Sequence, residues 1–175
     1  ILAPVTSPDA LGLDNLIAVG RPIPIPGGGS IARISLSVWK ERRVKTLLRE
    51  EAFDVIHLHE PLTPVLPLAV LGASQTVNVG TFHRFDKSGR AYGFAKHPLG
   101  HWFKRLDGRI AVSQPAYQYV NKYFPADYTI IPNGIDVDFF AQDVPPFDAF
   151  SDGKLNILFV GRLEKRKGLK HLLGA

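Results

Sequence analysis

Short apolar runs that stop abruptly at polar residues restrict the fold of this chain more than any other feature. Phe53-Asp54-Val55-Ile56-His57-Leu58-His59 stops at Glu60-Pro61, Val77-Asn78-Val79-Gly80-Thr81-Phe82 meets His83, and Arg109-Ile110-Ala111-Val112 meets Ser113. Tyr128-Thr129-Ile130-Ile131 is halted by Pro132-Asn133-Gly134, and Leu155-Asn156-Ile157-Leu158-Phe159-Val160 opens into Gly161-Arg162. Runs of this length suit strands buried on both faces. Helical patterns lie between them. From Ser35 to Glu51, Leu36, Trp39, Val44, Leu47 and Leu48 recur at helical spacing among Lys40, Arg42, Arg43, Lys45 and Arg49, which predicts an amphipathic helix with a basic exposed side. Thr63 to Ala73 reads as a helix punctuated by proline, and Pro115 to Tyr123 as a helix capped by Ser113. Strands alternating with helices imply an α/β fold built on a parallel sheet covered by helices on both faces. Ligands of such sheets gather where the strands end. The residues to examine are therefore His59, Glu60, Pro61, His83, Ser113, Asn133, Gly134, Gly161 and Arg162.

Ile1-Leu2-Ala3-Pro4 reads as a strand already under way, and a helical pattern is still running at Leu172-Leu173-Gly174-Ala175. With no Met anywhere, both ends read as cuts in a longer chain. Pro22, Pro24, Pro26 and Gly27-Gly28-Gly29 exclude helix between Ser7 and Ser30, which is expected to be a surface loop with one short strand, Leu16 to Val19. The stretch Ala141 to Gly153 has linker composition. The expected organisation is a first domain over 1–141, a linker over 142–153, and the opening of a second domain over 154–175.

The 175 residues, 45% of them hydrophobic, can build one full core but leave little room for two. Absence of Cys excludes disulfides and thiolate metal sites and agrees with a reducing compartment. No apolar run reaches the roughly 18 to 20 residues of a bilayer span, and no secretory leader opens the sequence, so a soluble protein is expected. A net charge of +5 and a pI near 9.6 favour anionic partners. In Lys96-His97-Pro98-Leu99-Gly100-His101-Trp102-Phe103-Lys104-Arg105 the cations accompany bulky apolar residues. Solvated surface is the plain reading of that segment, and contact with an anionic membrane surface the second. Nucleic acid comes last, because no recognised nucleic-acid motif accompanies the charge.

An isolated Asn133-Gly134 is a turn in which positive φ is cheap. The loop Gly161-Arg162-Leu163-Glu164-Lys165-Arg166-Lys167-Gly168 offers more chemistry. Glycine lets the backbone approach a ligand, while Arg162 and Lys167 place positive charge near a helix start, as a departing diphosphate requires. Alone, such a loop is commonly solvated surface. His57 and His59 share one face of a strand and could join Glu60 around zinc, but no further ligand has recognisable spacing, so no metal is expected. A polar cluster bordering a cleft is the plainer account.

Taken together and in order, these motifs resemble those of the group-1 glycosyltransferases, a retaining family with the GT-B fold. The resemblance rests on Phe53 to Pro61, Gly80-Thr81-Phe82-His83, Gly108 to Ser113, Thr129 to Asp136, and Leu158 to Gly168. Within the family the chain is most similar to the phosphatidylinositol mannosyltransferases, through Pro22-Ile23-Pro24 followed by Ile31-Ala32-Arg33 and through His59-Glu60-Pro61. The resemblance implies an acceptor-side Rossmann-like domain without its first strand, followed by the start of a second, donor-side Rossmann-like domain. It implies His83 as the active-site histidine, with Gly161, Arg162 and Lys167 on the donor diphosphate and His59, Glu60, Ser113, Asn133 and Gly134 lining the cleft. It further implies a GDP- or UDP-sugar cosubstrate, no metal or other cofactor, a lipid or glycan acceptor, and a cytoplasmic protein peripheral to the inner face of the membrane. The family's glycine-rich loop would precede Ile1 and its paired glutamates would follow Ala175, so the chain alone is expected to be inactive. Leu62 stands where those mannosyltransferases carry Asn, and Arg84-Phe85-Asp86-Lys87 replaces a Thr-rich stretch, so inositol recognition is not carried over.

Overall fold

The computed structural model describes residues 1–5, 15–19, 22–27, 30–34, 41–86, 90–145 and 147–175. In chain order its elements are β1 (Leu2–Ala3), β2 (Ile17–Ala18), β3 (Ile23–Gly27), β4 (Ser30–Ile34), α1 (Glu41–Glu51), β5 (Val55–His59) and α2 (Leu66–Ala73). There follow β6 (Val77–Phe82), α3 (Arg90–Phe103), β7 (Gly108–Ala111), α4 (Gln114–Tyr123), β8 (Thr129–Ile130), α5 (Val137–Phe140) and α6 (Leu169–Leu172). The chain divides into two compact units, Ile1–Pro132 and Asn133–Ala175.

The expected parallel α/β sheet is present in the first unit. Its four strands run in the order β5-β6-β7-β8, every neighbour parallel, with a helix on each of the first two crossovers and α4 on the third. In the first pair His57 sits opposite Val79 and His59 opposite Thr81, so β5 and β6 finish level. Leu58, Leu71, Phe82, Leu106 and Val120 are buried in one apolar core with an aromatic group from α3 and α4. There Tyr92 stacks on Tyr119 at 5.3 Å and Phe103 on Phe124 at 5.1 Å.

Polar ties hold the opposite end of the sheet. Arg105 donates through Nε to Leu71 O at 2.6 Å and through Nη2 to Ser74 O at 2.8 Å, occupying carbonyls left open where α2 ends. Asp107 brackets the start of β6, its carboxylate accepting from the Asn78 amide at 2.8 Å while its own amide donates to Asn78 O at 2.8 Å.

Several elements differ from the sequence reading. The segment expected to be loop contains an antiparallel hairpin, β3 with β4, in which Pro24 pairs with Arg33 and Pro26 with Ile31. Prolines two residues apart lose their N–H groups on one edge only, so the other edge still pairs. The start of the basic helix at 35–40 lies outside the described residues; α1 carries the rest. No helix was expected around Lys96, yet α3 runs for 14 residues with Pro98 inside it. A proline there costs about 3 kcal/mol of helix stability. The buried side chains of Tyr92 and Phe103, and Trp102 against α2 at Gly72, hold the helix in place. Leu155 to Val160 was expected to be a strand and is unpaired, because the described residues of its unit offer no strand beside it.

Gly80 marks where the sheet is packed most tightly. A Cβ there would stand 2.8 Å from Pro61 Cγ and 3.1 Å from both Leu106 methyl groups. Gly80→Ala is expected to lower stability by roughly 1–3 kcal/mol through overpacking, although alanine normally suits a strand interior better than glycine. Urea unfolding of the two chains checks this, and an unchanged or raised midpoint would contradict it.

Candidate functional site

The level ends of β5 and β6 build the site. Side chains alternate along a strand, so Leu58 enters the core while His57 and His59 share the other face. Thr81, opposite His59, shares that face. His83 follows β6 directly. The imidazoles form a row, with ring centroids 4.7 Å apart between His57 and His59 and 5.0 Å apart between His59 and His83. His57 Nε2 lies 2.7 Å from Thr81 Oγ1, and His59 Nδ1 lies 2.8 Å from His83 Nε2. In the second bond one ring nitrogen donates and the other accepts, so at least one of the two rings is neutral.

Glu60 closes the row. Its backbone enters the left-handed region at φ 53°, a conformation that costs a residue with a Cβ roughly 1–2 kcal/mol. Two backbone bonds fix this turn: the Glu60 amide donates to Thr81 O at 2.8 Å, and Thr63 N donates to Glu60 O at 2.9 Å. The reward is a carboxylate aimed across the strand end, where Oε1 accepts from the His83 amide at 2.7 Å. Beside it Arg84 pairs with Asp86 at 3.3 Å.

Burial dominates the electrostatics. It raises the Glu60 carboxyl above its usual range, opposed by the amides and side chains of His83 and Arg84. Burial, then the neighbouring His57 and His83, lowers the affinity of His59 for a proton. The Tyr92 hydroxyl is pushed far up by burial and then by the charge of Glu60, so it stays protonated. Thr81 and Tyr92 were missed by the sequence reading. Thr81 could have been found, since it lies two residues before His83 and so shares its face; Tyr92 arrives on α3, for which no local signal points at Glu60.

The remaining candidates have separate settings. Ser113 accepts from Ala116 N at 3.3 Å and caps α4, as expected. Asn133 and Gly134 are exposed, but neither adopts positive φ, which corrects the turn conformation read from their sequence. A Cβ on Gly134 would meet nothing within 4 Å. The ordering residue of that stretch is Asp136, whose carboxylate caps α5 by accepting from Phe139 N at 2.9 Å. In the second unit Arg162 pairs with Glu164 at 3.0 Å, and the Lys167 amide donates to Glu164 O at 2.9 Å. Gly161 lies beside the Lys167 stem, and Gly168 ends the turn at φ 78°. Thus Gly161, Arg162 and Lys167 share one loop organised on Glu164. Among the described residues no group of three or more His, Cys, Asp or Glu is arranged to hold a metal ion.

These proton affinities have opposite consequences for stability. His59 binds protons less readily folded than unfolded, so stability falls as pH drops from the ordinary value of 6.5 towards its lowered native one. Glu60 binds them more readily when folded, so its contribution falls as pH rises from 4.5 towards the raised native value. Unfolding midpoints across pH should show His59→Asn removing the first dependence and Glu60→Gln the second. Variants that retain the wild-type profile would contradict the assignment.

Sequence kinship agrees with this architecture. The Glycosyltransferase Family 4 domain matches residues 2–139. The phosphatidyl-myo-inositol mannosyltransferase of Mycolicibacterium smegmatis is 36% identical over 176 residues, an alignment covering 100% of this chain and 45% of the relative. The protein of the same name from Mycobacterium tuberculosis is 37% identical over 176 residues, covering 100% of this chain and 46% of the relative. That from Propionibacterium freudenreichii is 34% identical over 166 residues, covering 92% and 42%. The chain spans less than half the length of these curated relatives. A domain match across most of the chain, on a sheet of the expected parallel kind, shows that it belongs to Glycosyltransferase Family 4.

Proposed function

We propose that the whole protein is a retaining hexosyltransferase that moves mannose or glucose from a GDP- or UDP-sugar to a lipid-linked or glycan acceptor. The observation that carries this reading is His83, held through both its backbone and its ring at the end of β6 in a chain of this family. His83 would face the transferred sugar. Residues 1–141 would form the acceptor side, 142–153 the linker, and the residues from 154 onward the opening of the donor side. His59, Glu60, Ser113, Asn133 and Gly134 would line the substrate cleft. The relatives' names specify mannose and phosphatidyl-myo-inositol, which supports mannose transfer and a lipid acceptor. Leu62 and Arg84-Phe85-Asp86 keep inositol itself out of the proposal.

In the proposed reaction the acceptor hydroxyl oxygen bonds to the anomeric carbon as the bond from that carbon to the donor phosphate breaks. The hydroxyl proton passes to a donor phosphate oxygen on the same face, so configuration is retained. Arg162 and Lys167 neutralise the departing nucleoside diphosphate, which the glycine at 161 allows to lie close to the backbone. No metal or other cofactor enters this scheme.

Among the described residues no helix is long and apolar enough to cross a membrane. Peripheral contact with the anionic inner face, from the cytoplasm, is part of the proposal. It is supported by the exposed Lys96, His97, His101 and Lys104 around α3, together with Phe94, which is 88% exposed. Nucleic acid is not a proposed partner.

With the full-length protein and a panel of UDP-, GDP- and ADP-sugars, one nucleotide should be released by slow hydrolysis. His83→Ala and Arg162→Ala should each reduce that release about 100-fold or more. A folded full-length protein that neither binds nor hydrolyses any of them would instead be a nonenzymatic polyanion- or nucleotide-binding module. Lys96→Gln combined with Lys104→Gln should weaken sedimentation with phosphatidylserine vesicles about thirtyfold, at about 1 kcal/mol per lost cation. Equal sedimentation would remove α3 as the membrane contact.

A further inference from the structure

We propose that His59 is a positioning residue for His83, its ring hydrogen bond fixing which nitrogen of His83 carries the proton and hence what His83 presents to the sugar. The role of His83 in this statement rests on the proposed function; the bond itself does not. Glu60 holds only the backbone of His83, at 2.7 Å, and leaves the imidazole free to choose its tautomer. The choice is made at the other contact, 2.8 Å between His59 Nδ1 and His83 Nε2. If His59 donates, His83 Nε2 must be the bare nitrogen and Nδ1 must carry hydrogen; if His83 donates, the reverse holds.

The His59 side of the pair is held by its own surroundings. The His59 ring packs on His57 at 4.7 Å, and His57 is in turn anchored at 2.7 Å to the hydroxyl of Thr81. Thr81 lies near the end of β6 and His83 directly after it, so the row starts and finishes on the same stretch of chain and crosses β5 between. A ring at 59 fixed in this way gives His83 one hydrogen-bonding partner in one orientation. Such outer partners are how a functional imidazole usually has its tautomer set.

Substitutions at 59 separate the nitrogen from the ring. Asparagine places an amide near the position of Nδ1 and can donate or accept; phenylalanine keeps the ring packing and has no nitrogen. In the full-length protein, His59→Phe should lower kcat for nucleotide-sugar turnover about tenfold while KM for the donor stays within about twofold. His59→Asn should recover most of that loss. Independently of any substrate, nitrogen-15 spectra of the His83 ring should show one tautomer in the wild type and in His59→Asn, and a mixture in His59→Phe. An unchanged His83 tautomer in His59→Phe overturns the proposal, as does His59→Asn failing as badly as His59→Phe. Full turnover by His83→Ala would defeat the functional reading instead, and the ring spectra would still decide the positioning role.

Discussion

The parallel pairing of β5 with β6 is the constraint on which the rest of the first unit depends. Its register serves the core and the site together. A slip of one residue would turn Leu58 out of the core and bring His57 and His59 into it, because the side-chain period of a strand is two. Burial of Leu58 and Phe82 therefore enforces the presentation of the imidazoles. The site needs no separate device to align its strands; apolar burial, at roughly 25 cal/mol per Å² removed from water, does so.

The same pairing is secured from its far end. Arg105 and Asp107 sit in the short connection from α3 to β7, and each reaches back to an earlier element: Arg105 to the end of α2, Asp107 to the start of β6. That connection is fixed only if α3 is fixed, which gives a reason for a helix containing Pro98 to persist. Tyr92 at one end of α3 and Phe103 at the other are buried in the core, so the local penalty of proline is outweighed by tertiary packing.

How far the sequence alone revealed this follows from the range of each interaction. Strand positions from Phe53 to Ile131 were legible because apolar runs and their polar stops are local, and the Ser113 cap because its partner, Ala116, is three residues away. The hairpin at β3 and β4 was not legible: proline and glycine counted against regular structure, and only the pairing shows that Pro24 and Pro26 leave one edge intact. His59, Glu60 and His83 were recognised as strand-end residues. Their mutual bonds span more than twenty positions of sequence and required the register of two strands to be known. Tyr92 required a third element as well. In the other direction, Asn133-Gly134 shows that a strong local turn signal need not produce positive φ in an exposed segment without regular structure.

Glu60 shows why a locally unfavourable residue can still be the one that organises a site. Its left-handed backbone suits glycine better, and burial of its carboxyl opposes ionisation. Glycine at this position would relieve both costs and remove the acceptor for the His83 amide. A different carboxylate placement would leave that amide, at the open end of β6, to water. The turn is instead stabilised by bonds to Thr81 and from Thr63, and the charge by the amides and side chains of His83 and Arg84. Two local penalties thus become one fixed orientation of the chain just past β6. Local rules failing where the strand ends meet, and holding elsewhere in the sheet, is the pattern expected when a backbone is selected for what it positions.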